Sequence, residues 1–436
     1  MNAELRRTLS LRDLIFIVVG TVIGSGIFLT PGGVVRAAGS GGVALVVWTI
    51  GGVLSLLGAL TFAELGAAKP DSGGMYTYLR DAFGPLLAFL YGWTMFLVIG
   101  SGSMATLAAA FPRYVGVFVP LSAAASNAVS VAMIAVVTAV NVRGTRQSAD
   151  VQGVATVVKG GVIMVLALLL VAMSRRSVQS DDWWPQHFSI AEVSGAITGM
   201  IGVLWAYEGW QYVTFSAGET ADPQRTFGRG IVVGTALLIV LYVFANVGYF
   251  SALGVAGVAA STRVASEAAT TVLGAPAGKL LAAVILVSIF SAANGMMLTL
   301  PRLFFAMARD GVFFARLAIV HPRFGTPAAA IVGTSLWSMV LVLSGSFEQL
   351  LTYVVFMSWL WFALAAAAIF AYRRRDPDAH RAFRTPGYPL TPALFMLAAL
   401  VIVLNTVIAQ PMQSGIGLAF ALLGIPAYAI WRRSAT

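Results

Sequence analysis

Polar residues interrupt two apolar stretches of the sequence, and these interruptions hold the groups that could bind a ligand. The first is Gly24-Ser25-Gly26, and the second is Glu208-Gly209. Two glycines in three residues lower helix propensity by about 1 kcal/mol each relative to alanine. In hydrocarbon, the N–H and C=O groups freed by such a break are tolerated only where it is buried in protein or lines a wet cavity.

The geometry of a broken helix determines what it can bind. N–H groups exposed at the start of a half-helix carry partial positive charge and suit a carboxylate. C=O groups exposed at the end of the other half carry partial negative charge and suit an ammonium. A pair of broken helices therefore offers both poles that a zwitterionic α-amino acid needs. Taken alone, the first break fits equally well a helix pair packed through small residues.

The composition leaves little room for other chemistry. The chain has no cysteine, which excludes disulfides, iron–sulfur clusters and thiol chemistry. Its three histidines, His187, His321 and His380, fall in predicted loops. A metal or haem site built on histidine is therefore not expected. We predict no catalytic residue, no metal and no cofactor.

The elements that hold the two breaks are membrane spans. The 436 residues are 59% hydrophobic and 10% charged, whereas a soluble domain carries about 25% charged residues. The sequence therefore predicts an all-α polytopic membrane protein. Apolar runs of about 20 residues mark twelve transmembrane helices, numbered here as spans 1 to 12. Their predicted bounds are 12–36, 41–68, 85–111, 121–142, 150–173, 193–218, 229–253, 277–308, 327–344, 347–372, 388–409 and 413–431.

The two breaks fall in spans 1 and 6, which are five spans apart. Because five is odd, the second group of five spans has the opposite orientation in the membrane. Interrupted helices at matching positions of inverted repeats are typical of a transporter site near the bilayer midplane. We predict a five-plus-five inverted repeat with broken helices 1 and 6, in a single transmembrane domain. The repeats are expected at 12–173 and 193–372, followed by two additional helices within 388–431.

The basic residues predict the orientation. With the N-terminus inside, 20 of the 27 Lys and Arg residues fall in cytoplasmic segments, as the positive-inside rule requires. Both termini are therefore expected in the cytoplasm, and the net charge of +10 reflects this bias rather than a nucleic-acid site. Segment 254–274 is mildly amphipathic and is predicted to form a helix over the outer mouth. Glu64, near the inner end of span 2, is expected to be solvated or paired with an arginine.

Several stretches are recognisable as a set. They are GTVIGSGIFLTPGGV, WTIGGVLSLLGALTFAELGAAKPDSGGMYTYL, WAYEGW, and ANGMMLTLPRLFFAMARDG with HPRFGTP. In order and spacing, over nearly the whole chain, they resemble the amino acid–polyamine–organocation superfamily. Within it, the chain is most similar to the L-type amino acid transporter family and its bacterial relatives.

The resemblance implies roles for particular residues. The backbone of Val22, Ile23, Gly24, Ser25 and Gly26 would hold the substrate carboxylate and part of its amine. Trp205, Ala206 and Glu208 would supply the facing carbonyls, and Trp205 would also close over the substrate.

A lysine inside span 5 needs partners, because an ammonium at a helix centre costs about 2.5–3.5 kcal/mol on insertion scales. The resemblance places Lys159 where sodium-coupled relatives hold an ion, bridging span 1 to span 8. Ser288 and Ser291 match the span 8 side of that bridge. A fixed ammonium in place of sodium implies transport that does not depend on sodium.

The implied function is secondary active transport of neutral L-amino acids, by sodium-independent exchange and alternating access, in the cell (cytoplasmic) membrane. The alternatives are a proton-coupled symporter in which Lys159 titrates, and a carrier of cationic amino acids or amines that uses Glu208. A membrane-embedded enzyme or sensor is a remote alternative. The expected partners are an amino acid and the lipid bilayer. Animal relatives are disulfide-linked to a single-span subunit, which is not expected here because cysteine is absent.

Overall fold

The computed structural model describes residues 9–70, 73–143, 145–174, 183–185, 187 and 189–434. Within these ranges the chain is helical, and its only β pairing is an isolated bridge between Leu9 and Thr220. Ten helical segments are long and apolar enough to cross a membrane. They are Leu11–Leu29, Gly41–Ala68, Pro85–Val115, Ala123–Arg143, Gln152–Met173, Pro223–Ala260, Ala275–Arg309, Phe347–Arg375, Leu390–Ala409 and Pro411–Trp431.

Two further spans complete the predicted set of twelve. Span 9 is the shorter apolar helix Ala328–Ser344. Span 6 consists of the α-helix Ile190–Tyr207 and the 3₁₀ helix Trp210–Glu219. The prediction of an all-helical membrane protein is thus confirmed.

Short helices cap the ends of the bundle. They are Pro31–Ala38, Met75–Phe83, Val264–Leu273 and Ala315–Ala318. The segment predicted as an amphipathic helix, 254–274, is helical in two pieces. Span 7 continues to Ala260 across a non-helical Gly254, and Val264–Leu273 follows it.

Span 1 is broken where the sequence places Gly24-Ser25-Gly26. The first half, Leu11–Val22, ends in a tight turn in which the N–H of Gly24 donates to the carbonyl of Val22 at 2.7 Å. The second half, Gly26–Leu29, then begins. In an unbroken helix the N–H of Gly24 would bond to the carbonyl of Gly20, so the turn frees that carbonyl for another donor.

Span 6 is broken at Gly209. Its backbone φ of 127° is a conformation that side chains with a Cβ rarely adopt. A Cβ at this position would also lie 3.0 Å from the backbone carbon of Thr21. The residue is therefore glycine for two reasons, the turn itself and the close approach to span 1.

Span 3 extends further than predicted. The sequence predicted an end near Phe111-Pro112, but the helix Gly100–Val115 continues through Pro112. A proline removes the hydrogen bond to the carbonyl four residues earlier. Here the hydroxyl of Ser130 in span 4 donates to that carbonyl, on Ala108, at 2.8 Å. The neighbouring span thus satisfies the group that would otherwise have favoured a helix end.

Span 1 lies at the centre of the bundle, where it packs against spans 5, 7 and 8 and the second half of span 6. Spans 11 and 12 lie at the edge, with many apolar side chains facing outward. Both breaks therefore lie inside the protein. We call the end of the bundle that carries Leu9 the Leu9 face, and the opposite end the Arg113 face.

Candidate functional site

The two breaks contact each other directly. A Cβ added to Gly26 would lie 2.4 Å from the Cα of Ala206, so the two backbones pack without an intervening side chain. Closer to the Leu9 face, the hydroxyl of Thr21 donates to the carbonyl of Gly209 at 3.1 Å. Glycine at positions 26 and 209 is what permits this approach.

A cavity of about 20 Å³ lies beside the contact. It is lined by Thr21, Val22, Gly24, Ser25, Gly26, Ser103, Leu107, Trp205, Glu208, Tyr212, Ala292 and Met296. This volume suffices for about one water molecule. An amino acid can therefore occupy the site only after neighbouring side chains move apart, so the structure corresponds to a closed state.

Where the two breaks meet, span 1 has free backbone donors and span 6 has free backbone acceptors. In the described part of the chain, the N–H groups of Ser25 and Gly26 donate to no acceptor. Across the contact, the carbonyls of Ala206 and Tyr207 accept no hydrogen bond from any described residue. The contact between Gly26 and Ala206 thus joins the segment of span 1 that has free donors to the segment of span 6 that has free acceptors. Recognition of a zwitterion requires both kinds of group.

Some predicted backbone groups are already engaged. The carbonyl of Trp205 accepts the N–H of Glu208 at 3.1 Å. The carbonyl of Val22 accepts from Gly24 and from the hydroxyl of Tyr242. The carbonyl of Tyr207, which sequence reasoning missed, is free, because the turn at Gly209 ends the hydrogen-bond ladder there.

Trp205 is buried, with 6% of its surface exposed. Its indole N–H donates to the hydroxyl of Ser25 at 3.4 Å, and its ring meets Phe347 edge-on at 6.5 Å. The guanidinium of Arg113 lies over the ring of Phe347, 4.9 Å from the ring centre, and also pairs with Glu348 at 2.8 Å. Together these side chains cover the cavity toward the Arg113 face.

The Leu9 face is closed by the end of span 6. The N–H of Leu9 donates to the carbonyl of Glu219 at 2.9 Å, and Ala221 donates back to Leu9 at 3.0 Å. The carboxylate of Glu219 accepts from two of the three nitrogens of the Arg302 guanidinium, Nε and Nη2, and the Nη2 contact is 3.0 Å long. The N-terminal segment, span 6 and span 8 are thereby held together at this end.

Lys159 lies 2% exposed and bridges two spans. Its ammonium donates to the carbonyls of Gly20 at 2.6 Å and Ile23 at 2.8 Å, which the break in span 1 leaves free. It also reaches the hydroxyl of Ser291 in span 8 at 3.5 Å. Ser288 donates to the same Ile23 carbonyl at 3.0 Å. The structure thus brings the three predicted coupling residues together at the break.

One member of this cluster was not predicted. Gln152, a buried residue of span 5, accepts the hydroxyl of Ser291 at 3.0 Å, while its amide nitrogen has no partner in the described structure. Its position two turns before Lys159 on the same helix face was the available signal.

Glu208 faces the cavity and is 7% exposed. One carboxylate oxygen accepts from the amide of Gln211 at 2.6 Å and the hydroxyl of Ser358 at 3.1 Å. The other oxygen has no partner among the described residues. No cation neutralises this group in the described part of the chain. It therefore offers an acceptor to a ligand.

The described residues contain no group of three or more acidic or histidine side chains placed to hold a metal ion. The described groups around the two breaks are therefore hydrogen-bond donors and acceptors suited to binding a ligand.

A model of the amino acid permease family matches residues 9–427. The chain belongs to that family. It is 32% identical to the human cystine/glutamate transporter, over 98% of this chain and 85% of the relative. It is 29% identical to the serine/threonine exchanger SteT of Bacillus subtilis, over 97% and 96%. It is 31% identical to the large neutral amino acids transporter small subunit 2 of mouse, over 98% and 81%.

Membership confirms the resemblance found in the sequence. The protein is a multi-pass membrane transporter for amino acids and not an enzyme. Its substrate is a small molecule, and its surroundings include lipid. The breaks in spans 1 and 6 are the structural features around which such transport can be organised.

Proposed function

We propose that this permease is a sodium-independent exchanger of neutral L-amino acids that works by alternating access. One observation carries the proposal: Ser25 and Gly26 have free N–H groups, and Ala206 and Tyr207, in the segment that contacts Gly26, have free carbonyls. These groups match the carboxylate and ammonium common to all α-amino acids. Val22, Ile23, Gly24 and Trp205 complete the backbone frame.

Sodium independence rests on Lys159. Its ammonium already occupies the carbonyl oxygens of Gly20 and Ile23, which are the hard oxygen ligands that a sodium ion would need there. A fixed cation joins span 1 to span 8 without drawing on an ion gradient. Exchange follows if the loaded carrier changes its orientation faster than the empty one.

Preference for neutral substrates rests on Glu208. A carboxylate at the cavity wall repels an acidic side chain, so glutamate is disfavoured. A hydroxyl or amide of a neutral substrate can donate to its free oxygen. Two relatives, named as a serine/threonine exchanger and a large neutral amino acids transporter, agree with this preference.

We place the protein in the cell (cytoplasmic) membrane with the Leu9 face, and hence both termini, in the cytoplasm. The excess of Arg and Lys at that face supports this orientation. We retain the inverted repeats at 12–173 and 193–372. Because the chain lacks cysteine, it functions without a disulfide-linked subunit.

Counterflow tests the proposal. Purified protein is reconstituted into liposomes preloaded with one unlabelled amino acid, and uptake of labelled serine, threonine, leucine or glutamate is followed. We expect uptake of neutral amino acids only into preloaded vesicles. Equal uptake into empty vesicles, or glutamate as the best substrate, would contradict it.

A second candidate function is transport of cationic amino acids or amines, favoured by the partnerless oxygen of Glu208. Competition by arginine and a diamine distinguishes the two. Under our proposal neither inhibits neutral uptake appreciably, in the wild type or in Glu208→Gln. Strong inhibition by arginine that disappears in Glu208→Gln would instead establish the second candidate.

A further inference from the structure

A basic groove lies at the Leu9 face, away from the substrate cavity. It has a volume of about 550 Å³ and is formed by the end of span 10 and the segment leading to span 11. It is lined by Phe370, Arg373, Arg374, Pro377, Arg381, Arg384 and Tyr388. Four of its seven residues are arginines.

Two of these arginines are fixed in place. Arg373 donates to both carboxylate oxygens of Glu64, at 2.9 and 2.7 Å, and its guanidinium lies 3.7 Å from the ring centre of Tyr388. Arg381 lies 3.4 Å from the same carboxylate and donates to the backbone carbonyl of Asp376 at 2.7 Å. The sequence predicted that Glu64 is either solvated or paired with an arginine, and in the structure it is paired.

The other two arginines carry uncompensated charge. Arg374 and Arg384 are exposed, and no described acidic group lies within 4.0 Å of either. The nearby acids in sequence, Asp376 and Asp378, do not line the groove. Among the described residues, Glu64 is the one carboxylate that pairs with any of these four arginines, and it pairs with Arg373 and Arg381 only. The groove therefore keeps a net positive charge and attracts an anion. Arginine binds phosphate oxygens with paired N–H donors.

The groove opens onto an apolar surface. Span 11 begins at Leu390, two residues after Tyr388, and Leu390, Leu394 and Leu397 are 68%, 53% and 58% exposed. Their spacing places them on one side of the helix. This apolar surface would not contribute to the binding of a free phosphate, whereas the acyl chains of a lipid can lie along it.

We propose that the groove binds the phosphate headgroup of an anionic phospholipid, with its acyl chains along Leu390, Leu394 and Leu397. The lipid then adds a second anion to the arginines that hold Glu64. Glu64 also accepts the N–H of Thr385 at 2.7 Å. Bound lipid therefore adds contacts to the segment before span 11, which Glu64 already ties to span 2. A ligand that binds only the folded protein raises its thermal stability.

Native mass spectrometry of the full-length protein in neutral detergent tests this site. The dissociation constant of the first bound lipid is measured for phosphatidylglycerol and phosphatidylcholine. We expect phosphatidylglycerol to bind at least about ten-fold tighter, since each arginine near the surface adds roughly a five-fold preference. Arg374→Gln/Arg384→Gln should weaken phosphatidylglycerol binding about thirty-fold, as loss of two such attractions predicts.

The matched control is Arg309→Gln/Arg316→Gln, which removes two exposed arginines of the same face. It should change phosphatidylglycerol binding by less than about two-fold, because these arginines lie outside the groove. Equal weakening in both double variants, or equal binding of the two lipids by the wild type, would overturn the proposal. Glycerol phosphate tests for a phosphate site without lipid. If it displaces phosphatidylglycerol at equal concentration, the lipid assignment is wrong. The comparison of phosphatidylglycerol with phosphatidylcholine uses the wild-type protein, so it tests the proposal even if the variants do not fold.

Discussion

At the scale of single residues, the site depends on glycine at position 26. In Gly26→Ala the new Cβ would lie 2.4 Å from the Cα of Ala206, and backbone cannot yield as a side chain can. The two breaks must separate, which misplaces the donors relative to the acceptors. We expect amino acid uptake to fall below about a tenth of wild type, since small displacements of binding groups cost about 100-fold.

Gly161→Ala is the control for this change, since a Cβ there meets no atom within 4 Å. Its uptake should match wild type at equal surface expression. If Gly26→Ala transports normally, the contact between the breaks is not part of the substrate site.

Lys159 is the second residue on which the site depends. Lys159→Met keeps much of the side-chain length but leaves the carbonyl of Gly20 without a donor, whereas the carbonyl of Ile23 keeps the hydroxyl of Ser288. Each unsatisfied buried carbonyl costs about 1–3 kcal/mol. We expect a lower melting temperature of the purified protein and at least about a ten-fold loss of exchange rate.

The matched control is Lys279→Met, at an exposed lysine, which should leave both quantities unchanged. Normal exchange by Lys159→Met would show that the ammonium is not required for transport.

These residues differ in how far the sequence could predict them. Gly24-Ser25-Gly26, Glu208 and Lys159 stand out because glycine pairs and charges are expensive within apolar runs. Ser103, Tyr212 and Gln152 gave no comparable signal, since polar side chains of this kind are common in spans that pack on other spans. Their part in the site arises only from how the helices cross.

At the scale of elements, the two ends of the bundle have separate closures. At the Leu9 face the closure is Glu219 with Arg302, and at the Arg113 face it is Arg113 with Glu348 and Phe347. Because the chain has no native cysteine, Ser103→Cys introduces a single reporter that lines the cavity.

On this background, Glu219→Gln should speed labelling of Cys at position 103 by a thiol reagent added from the Leu9 face. Glu348→Gln is the paired control, and it should affect labelling from the Arg113 face only. A faster rate from both faces in either variant would mean that the bundle is loosened as a whole.

The sequence predicted the elements well because the membrane limits them to helices of known length. One discrepancy, the end of span 3, has a tertiary cause. Pro112 is a helix-ending signal within its own segment, and only Ser130 of the neighbouring span supplies the donor that Ala108 needs. A rule that reads one segment at a time cannot include such a donor.

At the scale of the whole molecule, the closed state frames the transport cycle. A cavity of about 20 Å³, too small for an amino acid, lies between the two closures at the ends of the bundle. Span 1 contacts spans 5, 7 and 8, so a shift of its two halves reaches most of the bundle. Lys159 joins span 1 to span 8 in this state.

The energy source of transport follows from the same contact. If Lys159 stays charged throughout the cycle, its ammonium takes the place of a bound sodium ion, and exchange needs neither a sodium nor a proton gradient. Replacing sodium by potassium should then leave exchange unchanged, and an inward proton gradient should not drive accumulation into vesicles without internal amino acid. If Lys159 instead releases and takes up a proton, that gradient drives net uptake and Lys159→Met abolishes the drive. Liposome uptake measured with each gradient, with and without internal amino acid, separates the two. Accumulation in empty vesicles under a proton gradient would contradict the exchanger proposal and establish proton symport, because uptake would then be coupled to proton movement through a titrating group.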